Sequence, residues 1–372
     1  MSKFVQIHTL VSYPPSNLNR DDLGRPKTAI MGGTQRLRIS SQSLKRAWRT
    51  SDIFKEKLDG NIGIRTKSMG VSVFKALTNG FTLKDFLNNG FNSDKVNNPV
   101  EESVAKEWAK AIADVFGKIK KENKNNPLAE LEIEQLAHFS PEEITSIDEL
   151  MSQIAQEQKK PSKEDIKKLD LLKQKHTAVD IAMFGRMLAS DTMYNTEAAV
   201  QVSHAITANK VAVEDDYFTA VDDLNKGEEN MGSGHLGENE FGSGLFYTYI
   251  CVDKDLLESN LGGDKNLVSN SLKALIEAAS KVSPTGKQNS FASRSYASYV
   301  MVEKGNQQPR SLAVSYLKSI TGDDMLKDAI DKLETTKAKM DQVYGPCADE
   351  VKTMNVYTGE GNMSELMDFI SN

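Results

Sequence analysis

The chain has 372 residues, 39% of them hydrophobic, with a formal net charge of −6 and a pI near 5.6. That length supports two or three domains or one elaborated domain, and the acidic balance confines any nucleic-acid site to a patch. Cys251 and Cys347 sit far apart with no metal spacing, which argues against a disulfide framework or zinc site and suits a reducing cytoplasm, and no apolar run approaches the ~20 residues of a membrane helix.

The N-terminus, MSKFVQIHTLV, holds one lysine and then alternates polar with apolar residues, so it does not read as a signal peptide. FVQIHTLVSY (4–13) is a strand by its alternation and β-branching, and PPSNLNRDD is a loop. Residues 23–51 then hold seven cations and no acid: Arg25, Lys27, Arg36, Arg38, Lys45, Arg46 and Arg49. A single-sign stretch inside an acidic chain is a local field suited to a polyanion. RISSQSLKRAWR (38–49) reads as strand, cap and helix, with Ser40 or Ser41 able to accept from a free N–H of the first turn. At ~100° per residue, Gln42, Lys45, Arg46 and Arg49 fall within an arc of ~100°. Leu44, Ala47 and Trp48 fall opposite. Such a face is either a solvated charge run or an anion site. The alternation of Arg36 and Arg38 on the preceding strand, and the absence of a neutralising acid within the run, favour the anion site.

Residues 60–100 show no clear period. Between 100 and 175 the chain is charged, helical and poor in aromatics. Val104, Trp108, Ala111, Ile112, Val115, Phe116 and Ile119 recur at helical spacing, and Ser-Pro-Glu-Glu at 140–143 opens a further helix. This block reads as an insertion with mostly solvated charges. HTAVDIAMFGRMLASD (176–191) is a more apolar helix, and AVQVSHAITANKVAV (199–213) is β-branched. Residues 214–244 hold nine acids against one lysine, a net charge of −8, and many glycines. LFYTYICVD (245–253) is a strand, 266–282 a helix, SPTGKQNSFASRS a polar loop, YASYVMVEK (296–304) a strand, and the tail holds at least one more helix. Without the helical block and the acidic stretch, the order is strand, helix, strand, strand, helix, strand. That α+β order is the ferredoxin-like one, which in RNA-recognition domains gives a sheet that meets single-stranded RNA.

Three other places could hold chemistry. Lys287 and Gln288 follow Gly286, where glycine permits close backbone approach to a phosphate, but the spacing is not that of a P-loop and an ordinary turn is an equal reading. Asp215, Asp216, Asp222 and Asp223 could bind a metal or act as acid and base, but no motif fixes their geometry and exposed acids on a hairpin are the favoured reading. Tyr217 and Phe218 beside them suit an aromatic wedge or a partner contact. The five histidines show no ligand spacing, and no nucleophile–base pair is evident.

These segments resemble a known family. IHTLVSYPPSNLNRDD, RLRISSQSLKRAWR, VDIAMFGRM, SHAITANKV, DDYFTAVDD with GHLGENEFGSGLFY, and PTGKQNSFA occur in order over residues 7–292. Together they are similar to the backbone subunit of the type I-E CRISPR Cascade complex, in the CasC branch of the Cas-seven family. The resemblance implies a ferredoxin-like, RNA-recognition-type palm, inserted helical fingers and a β-hairpin thumb. Its expected boundaries are palm at 1–59, fingers at 60–190, a palm strand at 191–210, thumb at 211–244, and palm with C-terminal helices at 245–372. It implies a non-catalytic scaffold with no cofactor and no metal. About six copies would line one CRISPR RNA and present it to a target DNA strand. Other expected partners are a 5′-handle cap, a 3′-hairpin endonuclease, and large and small subunits. Arg20, Lys27, Ser40, Gln42, Lys45 and Arg49 would hold the RNA backbone, and Arg46 joins them on the charge pattern of the helix. Met187, Phe218 and Leu236 would meet a displaced nucleotide, and Lys287 and Gln288 match the glycine-containing loop. Arg49 stands where the family often has lysine, and Tyr217 where tryptophan is expected. The rival reading is a metal-dependent ribonuclease using Asp222 or Asp223.

Overall fold

The computed structural model describes residues 2–188, 191–220 and 235–371, apart from the side chains of Ala220, His235 and Leu236. The described strands are β1 (Phe4–Ser16), β2 (Thr28–Met31), β3 (Thr34–Ile39), β4 (Ile64–Thr66), β5 (Ala137–Phe139), β6 (Val200–Val202), β7 (Ala205–Thr207), β8 (Glu214–Ala220), β9 (His235–Asp253), β10 (Ala297–Gly305) and β11 (Glu350–Asn355). The chain divides into two compact units: residues 1–57, 200–255 and 266–372 form one, and 58–199 with 256–265 the other.

The first unit is built on an antiparallel sheet in the order β11-β10-β1-β9-β7-β3-β2, with β6 and β8 also paired to β9. The alternating strand at 4–13 is its centre, flanked by β9 and β10. Alternation suggests one solvated face, but every residue from Val5 to Val11 is buried. Successive side chains point to opposite faces, so the chain covers both. On one face Leu10, Tyr247, Tyr299 and Met301 pack under Leu312, Tyr316, Ile330 and Leu333. The last two belong to the tail helix, Met325–Tyr344. That helix therefore covers apolar surface on this face of the sheet.

At the sheet centre, His8 joins Tyr247 (2.8 Å) and Glu303 (3.0 Å), and Arg310 also pairs with Glu303. Burial pushes the Glu303 carboxyl up, but its bonds to His8 and Arg310 outweigh this and hold it at about 2. Burial, the largest influence on His8, keeps its imidazole below its usual range. A buried charge is tolerated because it is paired.

The second unit is the helical insertion. The helices Glu102–Phe116 and Pro141–Glu157 form where periodicity and the Ser-Pro-Glu-Glu start require, and Ser140 and Glu143 make a reciprocal capping box. Two helices, Met69–Asn79 and Leu83–Asn89, occupy the stretch that lacks a legible period. They are short, and Val73, Leu77 and Leu83 pack into the same core as Trp108, Ile112 and Phe139. Tertiary packing outweighs weak local patterning there. Among the described residues, the 176–191 segment is helical over Val179–Phe184. Beyond it the backbone of Arg186 bridges to Thr196, which ends the helix. The tail adds the edge strand β11 and a final helix, Met363–Ser371, beyond the one expected.

Candidate nucleic-acid interface

The basic helix spans Ser41–Arg49 and is capped as its sequence suggests. The Ser43 N–H donates to Ser40 Oγ (3.3 Å), and the Ser40 N–H donates to Asn19 Oδ1 (2.8 Å). The helix start is thus fixed to the 17–26 loop by Asn19, a residue that sequence reasoning passed over as part of a polar loop. Leu44, Ala47 and Trp48 are buried, and burying a side chain of this size contributes about 1.5–3 kcal/mol for each large apolar residue. Gln42 and Arg46 are exposed, while Lys45 and Arg49 are half-buried. Partial burial pushes the Lys45 ammonium pKa down, so an arriving anion would offset a desolvation cost already present. Ser40 is buried, with its hydroxyl engaged in the cap.

A cleft of about 520 Å³ lies beside this helix. Arg20, Ser43, Arg46 and Gly286 line it, so it joins the helix face to two loops. Asp21 and Asp22 line it as well. The acid-free run in sequence is therefore not acid-free in space. Arg25 and Arg36, two cations of that run, have partners away from this cleft. Arg25 Nε meets Glu240 Oε1 at 3.1 Å. Arg36 is fully buried and donates to the carbonyls of Thr207 and Ala208 (both 2.7 Å) and Tyr316 (3.0 Å).

Arg36 is a structural cation, which corrects its place in the anion field. Its fork ties β3 to the segment after β7 and to the turn at 316. Arg36→Ala is expected to cost about 3 kcal/mol or more, because three buried carbonyls lose their donor. The chemical-denaturation midpoint measures this. A fall in RNA affinity with unchanged stability would contradict the assignment.

The 284–293 loop docks on the same region. A Cβ on Gly286 would lie 2.3 Å from the Leu18 carbonyl oxygen, so the close approach that glycine permits is to the protein's own backbone. Lys287 adopts a left-handed conformation and donates to Asn239 of β9. Gln288 donates to the Pro284 carbonyl (2.9 Å), while its Oε1 is buried without a partner. Asn17, fully buried, donates to the carbonyls of Gly24 and Glu240. Lys27 lies on the segment entering β2, where its carbonyl accepts from the Arg38 N–H.

The acidic stretch opens as the hairpin expected, β8 pairing with the first part of β9 from Glu214–Phe241 to Ala220–His235. Tyr217 is 65% exposed and Phe218 39%. Phe218 faces Gly237 across the ladder, and a Cβ there would stand 2.2 Å from the ring's Cζ. The absence of a Cβ at Gly237 thus makes room for the Phe218 ring against the opposite strand. Asp222 and Asp223 lie outside the described residues, and so does the Leu236 side chain. Asp215 and Asp216 lie on β8, and no cluster able to hold a metal occurs among the described residues.

Met187 belongs to the second unit and is 78% exposed. It borders a cavity of about 280 Å³ with Phe116, Gly117, Leu136 and Leu188. Its neighbour Arg186 is buried against Glu143 (2.8 Å to both oxygens) and donates to the carbonyls of His138, Lys173 and Tyr194. Sequence reasoning took the charges of this block as solvated. The Glu143–Arg186 pair was hidden because its partners lie 43 residues apart.

A family model described as CT1975-like protein matches residues 5–369. The chain belongs to this family. A solved chain described as "CRISPR RNA-guided surveillance complex, pre-nicking" is similar over 99% of both chains, with 26% identity and a TM-score of 0.78. A second, "CRISPR RNA-guided surveillance complex", shares 23% identity over 99% of this chain and 98% of that one, with a TM-score of 0.60. No curated protein sequence matches. No helix among the described residues is long and apolar enough to cross a membrane.

Proposed function

We propose that this CT1975-like chain is a non-catalytic backbone subunit of a type I-E Cascade complex, binding CRISPR RNA in the cytoplasm. The observation that carries this reading is the end-to-end likeness, at a TM-score of 0.78, to a chain of a CRISPR RNA-guided surveillance complex. The strand order β10-β1-β9-β6, with the basic helix and the helix Lys265–Lys281 as its two crossovers, supports a ferredoxin-like palm. The helical unit serves as fingers and the β8–β9 hairpin as thumb. Lys45, Arg46 and Arg49 hold RNA phosphates, with Gln42 and Arg20 adding hydrogen bonds to phosphate or sugar. Phe218, Leu236 and Met187 act on a displaced base. The thumb's net charge of −8 suits docking on the basic face of a neighbouring copy rather than broad phosphate contact. About six copies then present the guide to a target DNA strand, and base pairing reads the sequence.

In this role the chain performs no chemistry. Incubated with Mg²⁺ or Mn²⁺, the purified protein leaves guide and complementary RNA intact on a denaturing gel. Cleavage at a regular interval, abolished by Asp223→Ala, would replace the scaffold reading with a ribonuclease.

A further inference from the structure

Three basic groups meet on the strand that leads into the basic helix. Arg38 lies on β3, paired with Ile206 of β7, and its Nη1 stands 3.0 Å from His204 Nδ1. The Arg38 N–H donates to the Lys27 carbonyl at 2.8 Å, which places Lys27 beside it on the β2 side. His204 lies between β6 and β7 and is exposed. Among the described residues, no carboxylate pairs with any of the three. Cations grouped without a paired carboxylate make a local positive field suited to an anion.

Arginine can only donate, so Nδ1 of His204 accepts and its imidazole is neutral, with the proton on Nε2. Partial burial, then the charges of Arg38 and Lys27, hold the imidazole below its usual range. The charged groups that act on it, Arg38 from β3 and Lys27 from the segment entering β2, are both cations. A phosphate placed among them reverses that balance. It neutralises the two cations and accepts from a protonated imidazole. Protonated Nδ1 no longer accepts from Arg38, so the guanidinium is released to meet the phosphate with both of its outer nitrogens.

We propose that Lys27, Arg38 and His204 form a second phosphate subsite, in which binding of an RNA phosphate is coupled to protonation of His204. The inference rests on the RNA-binding reading above and adds Arg38, His204 and a proton to it. The sign follows from the free and bound states. The free imidazole titrates below about 6.5 and the phosphate-bound one higher, so binding takes up a proton and tightens as pH falls through that window.

The test is the affinity of the full chain for a labelled single-stranded RNA, by fluorescence anisotropy at constant ionic strength, from about pH 8 to pH 6. Wild type tightens by roughly threefold across this range, the worth of one exposed ion pair. His204→Gln removes the pH dependence. Arg38→Gln weakens binding at every pH and lowers the salt slope by about 0.7. If His204→Gln keeps the wild-type pH dependence while Lys45→Ala with Arg49→Ala weakens binding, the subsite is overturned and the RNA-binding reading stands. If the helix variant leaves affinity unchanged, the RNA-binding reading itself fails.

Discussion

Lys45→Ala combined with Arg49→Ala is expected to weaken RNA binding on the order of tenfold per bound subunit, the worth of two exposed ion pairs. The loss falls equally on RNAs of unrelated sequence, because phosphate contacts carry no base information. The slope of log affinity against log salt falls by about 1.4, or 0.7 for each contact to a single strand. The fold survives, since Leu44, Ala47 and Trp48 form the buried side of the helix and neither substitution touches them. Alanine is a strong helix former, so helical propensity does not suffer. Equilibrium binding at several salt concentrations, with thermal unfolding as control, reads both quantities. Unchanged affinity and slope in a folded double variant would remove the helix from the interface.

The second large effect concerns the hairpin. Replacing residues 218–237 with Asn-Gly joins Tyr217 to Glu238, its partner across the ladder, through a two-residue turn of the kind that antiparallel strands favour. The truncation spares Asn239, which accepts from Lys287, and Glu240, which meets Arg25 and whose carbonyl accepts from Asn17. The palm therefore stays folded and the basic helix intact. RNA binding persists but is weak, and long particles do not form, because the acidic tip that would reach the next copy is gone. Sedimentation velocity with a long RNA distinguishes the outcomes. Full-length particles from the truncated protein would show that copies associate without the thumb.

Much of the sheet was legible from local signals. β1, β10 and the inner part of β9 announce themselves by alternation and β-branching, and the basic helix by its Ser40 cap and one-sided charge. Several features of the site were not legible, each for a physical reason. Arg36 and Arg38 look equivalent at positions two apart. Only the fold decides that one is buried under the 316 turn and the other is half-exposed beside His204. Asp21 and Asp22 lie just outside the acid-free run but fold back beside Arg46. Gly286 reads as phosphate-cradling, whereas the atom it approaches is a carbonyl of its own chain. The buried sheet face follows from a C-terminal helix whose apolar positions, Ala329, Ile330 and Leu333, identify no partner in advance. These features depend on contacts distant in sequence, which periodicity does not register.

The central claim is that many copies of this chain track one RNA. The mass of the particle formed on RNAs of increasing length tests it most directly. If the chain is a backbone subunit, mass photometry gives steps of one 41.1 kDa subunit, and the number of copies rises in proportion to RNA length. A particle of one fixed protein copy number, whatever the length of the RNA, would contradict the account.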